Sequence, residues 1–226
     1  EVEDVLLAPQ SGVLAIAATG TTIVDHTTNA HRLAVQVAGR CDQRGIRFID
    51  APVTGRPPKL TIFAGSDHEL PAPLVEVFGS YSAKVVRTGP NGTGSAMKLA
   101  NQMLLYSNFL TICEALVLGV NGGVSAPVML ENFRGGGMML DAFRKRLLTR
   151  SFSDNDGAPM GLIAKDMALI ADLAEEVGIH SALVDRLNAV YRAGVDRGWT
   201  EDHFVRVLEI IEEQGPSRLD GSTVGS

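Results

Sequence analysis

Cysteine is scarce in this chain: Cys41 and Cys113 are the only two among 226 residues. Two thiols cannot make a disulfide framework in a chain this long, and a reducing, cytoplasmic setting is the expectation. No lysine/arginine run exceeds three residues and the formal net charge is −6, so no nucleic-acid surface is expected. No apolar stretch approaches about 18 residues, and the chain opens on the acidic Glu1-Val2-Glu3-Asp4. Neither a transmembrane span nor an intact signal peptide is therefore expected. The histidines, His26, His31, His68, His180 and His203, show no paired metal-ligand spacing and no H-E-x-x-H, so no metal is expected. There is no G-x-S-x-G elbow and no C-x-x-C. A glycine-rich G-x-G-x-x-G turn after a strand is missing too, and Gly135-Gly136-Gly137 lies between helical patterns.

What is present is a globular composition, 45% hydrophobic and 20% charged. The first half alternates short apolar runs with helical patterns. Strands are expected at Thr22–Asp25, Arg47–Asp50, Leu60–Ala64 and Lys84–Arg87, and helices over 29–44 and 67–78, the latter with Asp67 as N-cap. Such alternation argues for an α/β layer with some parallel pairing. After Gly89-Pro90-Asn91-Gly92 the pattern becomes helical throughout. A helix from about Thr93 to Val120 is apolar on more than one side, the mark of a central helix packed against partners, often a second copy of the protein. Helical patterns follow near 126–133, 138–149, 160–177, 181–197 and 201–213. The expected organisation is an α/β domain over 1–90, an all-α domain over 91–214 and a frayed tail over 215–226.

Four segments offer chemistry. In Gly92-Thr93-Gly94-Ser95-Ala96-Met97-Lys98-Leu99-Ala100-Asn101-Gln102, two glycines precede the long helix and Lys98 and Asn101 share one face. Glycine there lets backbone N–H groups approach a ligand. A lysine on so apolar a helix is desolvated, paired or snorkelling, and desolvation makes lysine a usable proton carrier near neutrality. Spacing alone leaves open a snorkelling Lys98 and an Asn101 that caps a backbone group. Asp50-Ala51-Pro52-Val53-Thr54-Gly55-Arg56 ends a strand, where open α/β sheets bind ligands, and offers a hydroxyl, an amide and a guanidinium to an anion. A turn shaped by Pro52 and Gly55 with a solvated Arg56 fits equally. Lys165-Asp166 interrupts an apolar helix face and reads on its own as a surface ion pair. Asp25-His26-Thr27-Thr28 follows the first strand, either meeting a cofactor or capping the next helix.

In order and spacing these segments resemble the β-hydroxyacid dehydrogenase family. Asp25–Thr28 resembles its D-x-S/T-T turn, Asp50–Arg56 its D-x-P-V-S-G-G loop, Gly92–Gln102 its G-x-G-x-x-x-K-x-x-N-N/Q helix, and Lys165-Asp166-Met167 its K-D-L pattern. The resemblance runs from residue 1 to about 213. It implies a Rossmann-type domain, represented by its second half, followed by a helical domain with a long central helix. It further implies a homodimer or higher homo-oligomer, and an active site in the cleft between domains. Lys98 is then the catalytic acid/base, Asn101, Thr54, Gly55 and Arg56 bind substrate, and Thr28 and Lys165 touch the cofactor, NAD or NADP. The substrate is a small hydroxyacid or its semialdehyde. Alternatives are a reductase for a sulfonate- or phosphonate-bearing aldehyde, which Arg56 suggests, and a non-catalytic assembly protein. The chain departs from the pattern in three places. The family's N-terminal β-α-β unit, some ~80 residues with the glycine fingerprint, would precede residue 1. Thr54 and Arg56 stand where the family has serine and glycine. Pro57-Pro58 also runs directly into Lys59, so a dropped loop is expected there.

Overall fold

The computed structural model describes residues 2–153, 157–220, 222 and 224. It divides into two compact units, Glu1–Asn101 and Gln102–Ser226. The division lies two turns inside the long helix, because the first turns of that helix are tied to the sheet.

The first unit begins with two short helices, α1 (Val2–Leu7) and α2 (Val13–Ile16), and then enters a five-stranded mixed sheet. β1 (Thr22–Asp25) pairs in parallel with β2 (Arg47–Asp50), with α3 (His31–Asp42) as the crossover. β3 (Val53–Thr54) and β4 (Leu60–Gly65) form an antiparallel hairpin, and β4 also meets β2 at Asp50↔Gly65. α4 (Ala72–Tyr81) leads to β5 (Ser82–Gly89), parallel to β4.

Alternation along β2 explains why both faces of the sheet are covered. Successive strand side chains point to opposite faces. Phe48 joins Ile23, Val37 and Cys41 beneath α3, whereas Ile49 joins Ile62, Ala64 and Phe78 beneath α4. α4 starts later than its sequence pattern suggests. Pro71 precedes its first turn and Pro73 lies within it, while Asp67 accepts instead from the N–H and Nδ2 of Asn91. The loop 55–59 closes as a tight hairpin in which Lys59 N–H donates to Arg56 O at 2.7 Å, where a break was expected between Pro58 and Lys59.

α5 (Thr93–Asn121) is a single 29-residue helix. By length and composition it could cross a membrane, so the expectation that no segment reaches that threshold is corrected. In the second unit its buried side carries Tyr106, Phe109, Leu110, Ile112, Cys113, Leu116 and Val117. Around these pack α6 (Ala126–Asn132), α7 (Gly137–Thr149), α8 (Met160–Glu176), α9 (Ala182–Asp196), a 3-10 turn at Phe204–Arg206 and α10 (Val207–Glu212). Tyr106, Phe109, Phe143, Tyr191, His203 and Phe204 form a continuous set of edge-to-face and stacked ring contacts with centroids 4.8–5.8 Å apart.

The residues expected to fray are partly tied down. Ser217 N–H donates to Asn121 Oδ1, and Leu219 N–H to Glu212 Oε1. Glu212, 1% exposed, also takes both arms of the Arg150 guanidinium, at 2.8 and 2.9 Å.

Candidate functional site

The centre of the first unit's candidate site is a carboxylate that sequence reading assigned to a substrate loop. Asp50, 2% exposed at the end of β2, accepts from Gly92 N–H at 2.9 Å and from Ser95 N–H at 2.8 Å. The positive end of α5 therefore already faces an anion, the protein's own. Burial raises the Asp50 pKa, against the pull of the Gly92 and Ser95 hydrogen bonds.

This corrects the reading of the two glycines as a ligand cradle. A Cβ at Gly94 would run into Asp50 O and Phe63 O, and one at Gly92, whose φ is +94°, would meet the His31 and Val35 side chains. Gly94 lets the helix approach the sheet, and Gly92 lets the chain approach α3. They offer no place for a phosphate.

Two further candidates stand on the helix that Asp50 anchors. Lys98, a turn beyond Ser95, is 8% exposed despite its charge. Asn101 follows three residues later and is half-buried. The loop beyond Asp50 carries the other side-chain candidates. Ala51 and Pro52 are buried, Thr54 is half-buried and pairs with Thr61, and Gly55 turns the chain at φ +91°. Arg56 is exposed at the hairpin tip, as is Lys59. Asp50 thus sets one end of α5 and one end of the substrate-loop candidate at a single point.

The turn after β1 is also ordered by its own side chains. Asp25 accepts from Thr27 N–H, Thr27 Oγ1 and Asn29 Nδ2, and Thr28 is half-buried beside them. His26 faces inward, to Ala51 O and Tyr81 Oη. β1 and β2 run in parallel and end side by side at Asp25 and Asp50. Ligands of open α/β sheets bind outside such carboxyl ends. Two loops, one carrying Thr27 and Thr28 and the other Thr54 and Gly55, leave the sheet at that edge.

In the second unit, Lys165 is 46% exposed on α8 and its Nζ stands 3.2 Å from Asp166 Oδ1, an ion pair without hydrogen-bond alignment. Asp166 is 2% exposed, and its Oδ2 accepts from Gln102 Nε2 at 2.8 Å. Burial pushes the neighbouring Tyr106 hydroxyl well up, and the Asp166 charge adds to this. The pair is therefore only half a surface pair. The burial of Asp166 is visible in spacing, since Ile163, Asp166, Met167 and Ile170 share one helical face. No grouping of three metal-ligating side chains occurs among the described residues.

Comparison with known proteins adds the rest. The family described as the NAD binding domain of 6-phosphogluconate dehydrogenase matches residues 1–89, and that described as NAD-binding of NADP-dependent 3-hydroxyisobutyrate dehydrogenase matches 92–211. The chain is 27% identical over 229 residues to 2-(hydroxymethyl)glutarate dehydrogenase of Eubacterium barkeri, covering 97% of this chain and 75% of that protein. It is 25% identical over 219 residues to mouse 3-hydroxyisobutyrate dehydrogenase, covering 91% and 65%. The fold is shared with the crystal structure of a 3-hydroxyisobutyrate dehydrogenase from Salmonella typhimurium, at TM-score 0.78 and 21% identity, covering 92% of this chain and 75% of that one. The chain spans 55% to 75% of the length of curated relatives such as these.

Proposed function

This chain belongs to the β-hydroxyacid dehydrogenase family, and we propose on that footing that it transfers hydride between NAD or NADP and a small β-hydroxyacid, 3-hydroxyisobutyrate-like, or its semialdehyde. The dinucleotide supplies or receives the hydride when bound. Everything else falls to the chain. Lys98 is the proton carrier: its amine accepts the hydroxyl proton during oxidation, and its ammonium returns a proton to the oxygen during reduction. Asn101, on the same helix face, donates to the substrate oxygen. Thr54 and the Gly55 amide hold the carboxylate, and Arg56 adds an exposed charge from the hairpin tip. Thr28 and Lys165 contact the dinucleotide.

One observation carries this reading. Lys98 is a buried lysine on the stretch of α5 that Asp50 locks to the head of the Thr54-Gly55 loop. The test is Lys98→Ala in the full-length protein. The expected result is a fall in kcat of about 10²–10⁴ with unchanged dinucleotide affinity, because the proton transfer belongs to the transition state. Near-normal kcat would overturn the assignment. Arg56→Ala separates the substrate classes, since it should raise KM far more for a sulfonate or phosphonate aldehyde than for a monocarboxylate.

A further inference from the structure

His26 occupies a position that the reading above leaves without a task. It is the first residue past β1, and its half-buried imidazole is held between α4 and the segment that follows β2. Phe78 packs against the ring with centroids 5.8 Å apart, and Tyr81 meets it edge-on at 5.8 Å. Nδ1 lies 2.6 Å from Ala51 O, and Nε2 lies 2.8 Å from Tyr81 Oη. A carbonyl oxygen can only accept, so Nδ1 carries the hydrogen. In the neutral ring Nε2 then has a lone pair and accepts the Tyr81 O–H. The partners alone assign the tautomer.

The consequence lies in what Ala51 joins. Its N–H donates to Asp25 O at 2.7 Å, so Asp25-His26 and Ala51 are bound twice, once through backbone and once through the His26 ring. Ala51 directly follows Asp50, the anchor of α5, and leads to Thr54 and Gly55. Asp25 and His26 lead to Thr28. A half-buried imidazole with both nitrogens engaged and ring contacts on two sides has little freedom to turn.

We propose that His26 is a positioning residue: it straps the turn carrying Thr28 to the loop carrying Thr54 and Gly55, and so fixes the separation of dinucleotide and substrate carboxylate. The inference rests on the reading of those two loops given under Proposed function. Hydride transfer depends steeply on approach geometry, and a misplacement of about 1 Å can cost about 10²-fold in rate. A strap between the two loops bears on that distance without touching a reacting atom. The Tyr81 hydroxyl in turn holds the ring from behind, so Tyr81 acts through His26.

The experiment uses the full-length protein and two substitutions at His26. His26→Phe keeps a ring against Phe78 and Tyr81 but can make neither hydrogen bond. His26→Asn places an amide N–H near the Nδ1 position and can restore the bond to Ala51 O. The expected result for His26→Phe is a fall in kcat/KM of about tenfold or more, shared between a raised hydroxyacid KM and a weaker NAD(P)H Kd read by nicotinamide fluorescence. His26→Asn should recover most of both. Tyr81→Phe, which retains the Ala51 bond, should show a smaller change in the same direction. In the wild type, ¹⁵N shifts of His26 should report hydrogen on Nδ1 and a lone pair on Nε2. A merely structural His26 would lower Tm in all three variants while leaving KM and Kd unchanged, and that outcome overturns the proposal. If His26→Phe does not fold, His26→Leu, which also makes neither hydrogen bond, takes its place, and unchanged KM and Kd in both His26→Leu and Tyr81→Phe overturn the proposal equally. Wild-type inactivity on every hydroxyacid tried would sink the hydride-transfer reading instead. The NAD(P)H Kd of His26→Phe would then still decide the strap.

Discussion

Asp50 and Ser95 are 45 positions apart in sequence, yet the Asp50 carboxylate accepts the Ser95 amide at 2.8 Å, and Gly92 takes the other oxygen at 2.9 Å. The bond makes a β-strand end serve as the N-terminal cap of a helix that begins some forty residues later. It also explains why the compact α/β unit extends past the last strand to Asn101. The proposed proton carrier is therefore positioned by the sheet.

Removing the carboxylate should therefore have two effects. Asp50→Ala leaves two buried N–H donors without acceptors at the positive end of α5, and each costs about 1–3 kcal/mol. Urea unfolding of the full-length protein should show a loss of at least ~2 kcal/mol. The folded fraction should also lose kcat, because Lys98 shares the loosened turn. A loss of less than about 0.5 kcal/mol would mean that water or a neighbouring group replaces the cap.

The same carboxylate predicts a pH dependence with a definite sign. Its folded-state pKa is raised by burial above the ordinary value of 3.8. The folded state therefore holds a proton that the unfolded chain has released, and stability from this group falls as pH rises. The contribution is full below the unfolded value and is lost as pH rises through the higher folded value. Wild type minus Asp50→Asn, compared by denaturant midpoint from pH 3.5 upward, should decline with pH. A difference that grows with pH would show that the amide bonds outweigh burial.

Much of this was legible in the sequence, and the exceptions have physical causes. β1 and β2 stand where their β-branched and aromatic runs put them, and α5 follows its pattern to within one residue. α4 was misplaced because Asp67, a good cap by type, is engaged by Asn91, and the prolines at 71 and 73 decide the start instead. The motif residues could be named, but which anion met the glycine-flanked helix could not. A helix N-terminus attracts any negative group, and nothing local in Asp50-Ala51-Pro52 says that its partner lies beyond residue 90. His26 was likewise visible only as one member of a polar turn, since its partners Ala51 and Tyr81 are 25 and 55 residues away.

Arg150 offers a stability test in the second unit. It adopts φ +51°, a left-handed conformation unusual for arginine, and its guanidinium is held by Glu212 and Glu209. Glu212→Ala leaves Arg150 largely buried with its main partner gone, and breaking such a pair typically costs about 3–5 kcal/mol. Arg150→Gly and Arg150→Ala both leave Glu212 buried without the guanidinium, but glycine relieves the backbone, so Arg150→Gly should be less damaging than Arg150→Ala by a few tenths to about 1 kcal/mol. Equal losses in the two Arg150 variants would show that the backbone conformation carries no strain.

α5 presents a second prediction on its open side. Met97, Leu104, Thr111 and Leu118 recur every seven residues and are all exposed, Leu104 by 69% and Leu118 by 77%. A seven-residue repeat on a long helix, apolar at all but Thr111, is suited to a second helix lying along it. Leu104→Lys with Leu118→Lys should shift the sedimentation of the full-length protein from dimer to monomer, with little change in helical circular dichroism. A wild-type monomer at micromolar concentration would remove the basis for this pairing.

Lys98→Arg is the strictest test of the proposed chemistry, because it keeps charge and length while changing what the group can do. Arginine can still donate a hydrogen bond to an oxygen as negative charge develops there. Its guanidinium does not release a proton in the working pH range, so it can neither complete reduction by protonating the alkoxide nor accept a proton during oxidation. If Lys98 is the acid/base, Lys98→Arg should be nearly as inactive as Lys98→Ala in both directions, with dinucleotide affinity intact. If Lys98 only stabilises charge, Lys98→Arg should keep a substantial share of kcat, and the pH profile, set then by other groups, should survive the substitution. Measuring both directions from pH 6 to pH 10 separates the two roles, since a purely electrostatic cation leaves each limb of the profile where it was.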